Sequence, residues 1–196
     1  MEYIRNRRVA FCFVRLNNTP NEQRLGRGMN HIIREAGVAD IEALAELKLT
    51  TFRQTFLEGF AIPYPPADLA LFEAESYGLP RIEAELADPS HRTWVAEADG
   101  RLLAYAHVGP CKLPHEDVRP GDAELYQLYL REEAQGVGLG KRLLDLALLP
   151  HGDLAAPVWL GVWSGNAKAQ ALYQRRGFRQ VGTYGFRVGT WFDEEY

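Results

Sequence analysis

The sequence predicts an α/β (α+β) chain folded as one medium-sized domain, and three observations carry that expectation. Its 196 residues fall within the ~100–200 of a typical domain, and 46% hydrophobic with 11% aromatic residues is ordinary globular composition that needs no staples. Helical spacing and strand-like alternation take turns along the chain, giving the order β-α-α-β-β-β-α-β-α-β. A glycine-rich turn joins one strand to the next helix, a junction suited to anions.

Residues 1–28 differ from the rest: Arg5, Arg7 and Arg8, a strand-like Val9–Val14, then polar Asn17–Gln23 and Gly26-Arg-Gly28. They read as an added edge strand with a linker or a disordered extension, before a domain spanning 29–196. Ile32–Ala36 reads as a strand, and Asp40 as the cap of a helix running to Phe52. Ile62-Pro-Tyr-Pro-Pro66 breaks that helix; Asp68–Phe72 and Leu79–Leu86 resume helical spacing, with Pro80 near the front of the second piece. Thr93–Ala96 and Arg101–Val108 flank Ala98-Asp-Gly100 as a hairpin. Glu124–Leu130 is a strand whose alternation places Glu124, Tyr126, Leu128 and Leu130 on one face and Leu125, Gln127 and Tyr129 on the other. Then come a helix Leu139–Leu149 stopped by Pro150, a strand Val158–Trp163, a helix Asn166–Arg176 closed by Gly177, and one long strand Phe178–Val188.

Composition excludes several functions. Lys+Arg 22 against Asp+Glu 26 gives a net charge of −4, so the basic footprint of a nucleic-acid binder is missing. Cys12 and Cys111 cannot make a disulfide framework, and neither they nor the scattered His31, His91, His107, His115 and His151 show metal-ligand spacing. No metal is expected. No apolar run approaches the ~18–20 residues of a membrane span, and no signal-peptide pattern is present, so a cytoplasmic protein without a membrane partner is expected.

The turn itself is Leu128-Tyr-Leu-Arg-Glu-Glu-Ala-Gln135-Gly-Val-Gly138-Leu-Gly140-Lys141. The first N–H groups of the helix it opens lack internal partners, and glycines let a phosphate approach the backbone. A Walker A loop fails here, because Gln135 stands in place of the first glycine and Arg142 in place of the hydroxyl residue. A dinucleotide fingerprint fails because Lys141 occupies the third glycine position.

The spacing that fits is Gln-x-x-Gly-x-Gly, as Gln135, Gly138 and Gly140. About thirty residues on, Asn166, Tyr173, Gly177 and Phe178 align with Asn-x-x-Ala-x-x-x-Tyr-x-x-x-Gly-Phe. In both motifs the chain resembles the GNAT superfamily of acetyl-CoA-dependent N-acetyltransferases, over roughly Asn30 to Glu195. Thr51–Phe56, Leu128–Leu130, Val158–Trp163 and Phe178–Gly182 look like its bacterial polyamine (spermidine/spermine) branch. The resemblance implies a central mixed, mostly antiparallel sheet, split between the fourth and fifth strands and flanked by helices. It also implies acetyl-CoA as cosubstrate. Backbone groups of Leu128, Tyr129 and Leu130 would hold the pantetheine arm, and the N–H groups of Gln135, Gly136, Val137, Gly138, Leu139 and Gly140 the pyrophosphate. Lys141 or Arg142 would lie nearby, Asn166 would touch the cofactor while capping its helix, and Arg175 would reach a phosphate.

Acetylating an amine requires a proton to leave it: with a pKa near ~10.4, the neutral form lies about 4–5 kcal/mol uphill at pH 7. Glu124 is the expected base, directly or through water, with Tyr126 a second candidate. The departing thiol needs less help, and by resemblance Tyr173 is the general acid. Glu58, Asp68, Glu73 and Glu75 are expected to guide a cationic small-molecule amine. Direct transfer without an acyl-enzyme is expected, since no cysteine or serine stands in the motifs. The alternatives are an acyl-CoA-binding sensor without turnover, or an acceptor such as an amino acid, antibiotic, amino sugar or protein N-terminus. The last strand common in this family is expected to be missing or barely begun, either because the chain is truncated or because another segment, such as Val9–Leu16, covers the edge it leaves, and a homodimer stays open.

Overall fold

The structure is a computed structural model describing residues 11–12, 31–149 and 157–196. Its first half holds β1 (Phe11–Cys12), β2 (Ile32–Glu35), a 3-10 turn (Val38–Asp40), α1 (Ile41–Phe52), a π-helical segment (Arg53–Gly59), α2 (Pro66–Tyr77) and α3 (Leu79–Ala87). Then follow β3 (Arg92–Ala98), β4 (Arg101–Pro110), β5 (Ala123–Leu130), α4 (Leu139–Ala147) and β6 (Val158–Leu160). The chain continues with α5 (Ala167–Arg175), β7 (Arg179–Gln180), β8 (Tyr184–Val188) and β9 (Trp191–Glu195).

Strand β4 is the spine. Its residues from Leu102 to Gly109 are all buried, as expected of a strand with neighbours on both sides and helices on both faces. Asp99 and Gly100 both take positive φ, which lets a two-residue turn follow the twist of β3 and β4. One face packs on α4, whose Leu139, Leu143, Leu144 and Ala147 form its buried stripe. The other packs on α1 and α3 through Leu44, Leu47, Ile82, Val95 and Tyr105. Each fully buried leucine contributes roughly 1.5–3 kcal/mol relative to exposure.

The main sheet has the order β2-β3-β4-β5-β6-β1-β7. All its ladders are antiparallel except β5–β6, which runs parallel and joins only at Ala123↔Val158 and Glu124↔Trp159. Beyond that point the two strands part, the split that the resemblance implied.

Several expectations are corrected. Asp40 precedes α1, yet its carboxylate makes no cap bond to that helix; it accepts from Gly37 N–H at 2.8 Å and from both Arg34 nitrogens at 2.7 Å. A two-pronged guanidinium outcompetes a helix N–H for the same oxygens. The long strand expected over Phe178–Val188 is two strands, β7 and β8, and the strand expected to be missing is present as β9, paired with β8 from Tyr184↔Glu195 to Val188↔Trp191. Past Leu160 the expected strand leaves β5, and Val162 exchanges hydrogen bonds with Tyr196 at 2.8 and 2.7 Å. Phe11–Cys12 lies between β6 and β7, inside the sheet and not along its edge. The rest of 1–28, with Pro150 and His151, lies outside the described residues. Among those described, no helix is long and apolar enough to cross a membrane.

Candidate active site

Where β5 and β6 part, a cavity of about 510 Å³ opens between them. Aromatic rings supply much of its wall, including Phe52, Phe56, Phe72, Tyr129, Trp163 and Phe186. The π-helical segment adds to this wall by turning Phe56 toward Tyr129, with ring centroids 6.3 Å apart, and the Phe60 that follows it backs the lining Trp163 at 4.4 Å. The lining carries five carboxylates (Glu75, Glu85, Glu124, Asp193, Glu195) against two permanent cations, Arg81 and Lys112.

Of the residues expected from sequence, Glu124, Leu128, Tyr129, Asn166 and Tyr173 come together on this cavity. Tyr173 is buried edge-on against Phe178, and burial pushes its phenol up, so it holds its proton. Asn166 caps α5, its side chain accepting from Ala169 N–H at 3.0 Å. Glu124 is buried at the start of β5, where desolvation raises its pKa while the Lys112 N–H, donating at 2.8 Å, works against that rise.

The alternation expected along β5 does not hold throughout. Pairing with β4 shifts between His107↔Gln127 and Val108↔Leu125, and beyond this bulge Leu125 joins the core that Leu128 and Leu130 enter. The extra residue reverses the facing, so Glu124 looks out opposite to Leu128. Tyr126, the second candidate base, has its hydroxyl committed to the Pro110 carbonyl and its ring stacked on His91 at 5.6 Å.

Leu130 and the segment Gln135 to Lys141 lie beyond this cavity, at the C-terminal end of β5. Gly136 and Gly138 take φ of 81° and 82°, and a Cβ on either would meet open space. The turn is therefore an open cradle of backbone, followed by the unpaired first N–H groups of α4. Lys168 Nζ donates to Gln135 Oε1, the side-chain amide oxygen, at 2.8 Å, tying this turn to α5. Arg175 is exposed on α5, away from the cavity. Of the acids expected to guide an amine, Glu75 lines the cavity; Glu73 pairs with Arg53, Asp68 accepts from Thr190 N–H at 2.9 Å, and Glu58 faces solvent.

Sequence reasoning missed two groups. The first is a buried polar chain: Lys48 to Glu85 at 2.6 Å, Glu85 to His107 at 3.6 Å, and His107 to His91 at 2.9 Å. Burial lowers the pKa of both histidines, and they stay neutral near pH 7. The second is supplied by the hairpin β8–β9: Tyr184 Oη donates to Glu195, and Tyr64 Oη donates to Asp193. Burial raises the Glu195 carboxyl to about 7. The signal for this group is the alternation Trp191-x-Asp193-x-Glu195, whose inward positions are mostly acidic and read as a solvated tail.

Comparisons with known proteins agree with this geometry. A family profile described as the acetyltransferase (GNAT) family matches residues 49–178, well over half of the chain. An uncharacterized N-acetyltransferase of Lactobacillus delbrueckii is 30% identical over 138 residues, covering 70% of this chain and 80% of its own. An L-methionine sulfoximine/L-methionine sulfone acetyltransferase of Pseudomonas aeruginosa is 30% identical over 175 residues, covering 84% and 91%. Among solved structures, the PaiA N-acetyltransferase of Thermoplasma acidophilum in complex with coenzyme A superposes with a TM-score of 0.56 at 20% identity, over 85% of this chain and 98% of that one.

Proposed function

Since the chain belongs to the GNAT acetyltransferase family and is an acetyl-CoA-dependent N-acetyltransferase, we propose that its acceptor is a small primary amine, bound as a cation in the cavity between β5 and β6. The observation that carries this reading is the excess of carboxylates over permanent cations in an aromatic wall, since ring faces and carboxylates both attract an ammonium.

Acetyl-CoA supplies the acetyl group as a thioester. The residues suited to hold it are the Gln135–Lys141 turn, whose open left-handed glycines fit a pyrophosphate against bare backbone, and Leu128, Tyr129 and Leu130 along the edge of β5 that has left β6. Asn166 fixes the start of α5 and thereby the height of Tyr173. Tyr173 keeps its phenolic proton at neutral pH and gives it to the departing sulfur. Glu124, buried and raised, is a carboxylate on the amine side. Arg175 is left to the solvent-side phosphates.

Within primary amines, the polyamine reading rests on the resemblance of Thr51–Phe56 and Val158–Trp163 and on the five carboxylates. An α-amino acid is the second reading, favoured by Arg81 and Lys112 on the same cavity wall, which would take its carboxylate, and by the relative named for methionine sulfoximine. Amine-dependent thiol release, measured with spermidine, methionine sulfone, an aminoglycoside and a peptide N-terminus side by side, tests both.

A further inference from the structure

We propose that Glu195, held by Tyr184 on the last strand, is the carboxylate that takes the proton from the acceptor amine. This rests on the reading of the cavity as an amine acetylation site.

The geometry begins at Gly161, the first residue after β6 and the point where that strand has left β5. A Cβ there would overlap both Tyr184 Oη and Glu195 Oε2, so the absence of a side chain at 161 is what lets this pair approach the split. The residues on either side of Glu195 are anchored to the segment after β6 by three backbone bonds: Val162 with Tyr196 at 2.8 and 2.7 Å, and Ser164 N–H to Glu194 O at 2.9 Å. Glu195 is thus fixed on the β6 side of the cavity whose opposite side is β5.

The two carboxylates flanking the split differ in what surrounds them. Burial raises the Glu124 carboxyl too, but it accepts the Lys112 N–H and feels the Lys112 ammonium, both of which work against that rise. The groups acting on Glu195 are Tyr184, Asp193 and Glu124, with Tyr64 and Tyr129 also close enough to feel it; no cation is among them. Burial and two like charges raise it to about 7, outweighing the Tyr184 hydroxyl, whose hydrogen bond favours the ionised form. A base poised near the working pH transfers protons most effectively.

The balance is complete without another reactant. One N–H proton of the ammonium passes to Glu195. The nitrogen lone pair forms the C–N bond to the acetyl carbon as the C–S bond breaks, and sulfur takes the Tyr173 proton. The nitrogen's second surplus proton restores Tyr173, and Glu195 releases its own to solvent. Ammonium and thioester become amide, thiol and one proton.

The base must be ionised, so kcat/KM rises with pH through a limb near 7. In Glu195→Gln we expect kcat/KM to fall about 10²-fold or more and this limb to vanish, whereas Glu124→Gln keeps a limb, moved to lower pH by the loss of a like charge beside Glu195. Independently of turnover, the Glu195 side-chain carboxyl, followed by carbon-13 NMR in the unliganded wild-type protein, should titrate near 7. Titration in the ordinary carboxylate range, or a limb that survives in Glu195→Gln and vanishes in Glu124→Gln, overturns the proposal. If Glu195→Gln does not fold, coincidence of the wild-type NMR titration with the kinetic limb supports it, and a mismatch overturns it. A wild-type protein that turns over no amine refutes the acceptor reading, and with it any amine-proton role for Glu195, even if the carboxyl titrates near 7.

Discussion

Tyr173 and Gly161 show how single positions set this site. Tyr173→Phe removes one oxygen from a buried ring that packs on Phe178, so the fold should persist. Thiol release should drop about 10²-fold, the low end for proton transfer because a thiolate leaves tolerably. Calorimetric titration should find coenzyme A affinity within about threefold of wild type, a small loss for a hydroxyl outside the phosphate cradle. Gly161→Ala acts on shape: the added carbon must push aside Tyr184 and Glu195, costing roughly 1–3 kcal/mol in urea unfolding along with activity. Tyr173 was legible because its spacing from Asn166 and Gly177 is a local pattern. Glu195 was not: nothing near it in sequence reveals that Gly161 makes room for it or that Tyr184 holds it. Its altered basicity comes from burial that only the assembled hairpin creates.

At the level of elements, local chemistry was readable where one segment decides its own conformation. The Asp99-Gly100 turn and the α4 stripe follow from residue type and period. So does the Asn166 cap, and Asn166→Ala should cost about 1 kcal/mol, seen as a lower urea midpoint with unchanged slope. Elements failed to show where distant groups compete. Arg34 takes the Asp40 carboxylate from the helix it precedes. The bulge in β5 reverses the facing of Glu124, and no periodicity within eight strand residues could announce it. Strand β9 was hidden by its own composition, since a strand that aims Asp193 and Glu195 inward reads as a solvated tail.

The whole molecule is a sheet that closes around β4 and opens between β5 and β6, with the glycine turn proposed as the cosubstrate cradle at one end of the opening and the carboxylates along it. Its fold class, its split sheet and its cosubstrate were all legible from two spaced motifs; the cavity wall, assembled from α1, α2, α3 and the β8–β9 hairpin, was not. Because the cradle forms only in the folded chain, coenzyme A at about 100 times its Kd should add about 2.7 kcal/mol of stability, a rise of roughly 5–10 °C in Tm by calorimetry. The most direct test of the central claim is thiol release from acetyl-CoA by the purified protein across the panel of amines, with the product identified by mass. Saturable release that depends on a primary amine and yields its N-acetyl derivative is the expected result. Coenzyme A binding in the melting experiment, with no amine-dependent release anywhere in the panel, would contradict it and leave a protein that binds the thioester without transferring to an amine.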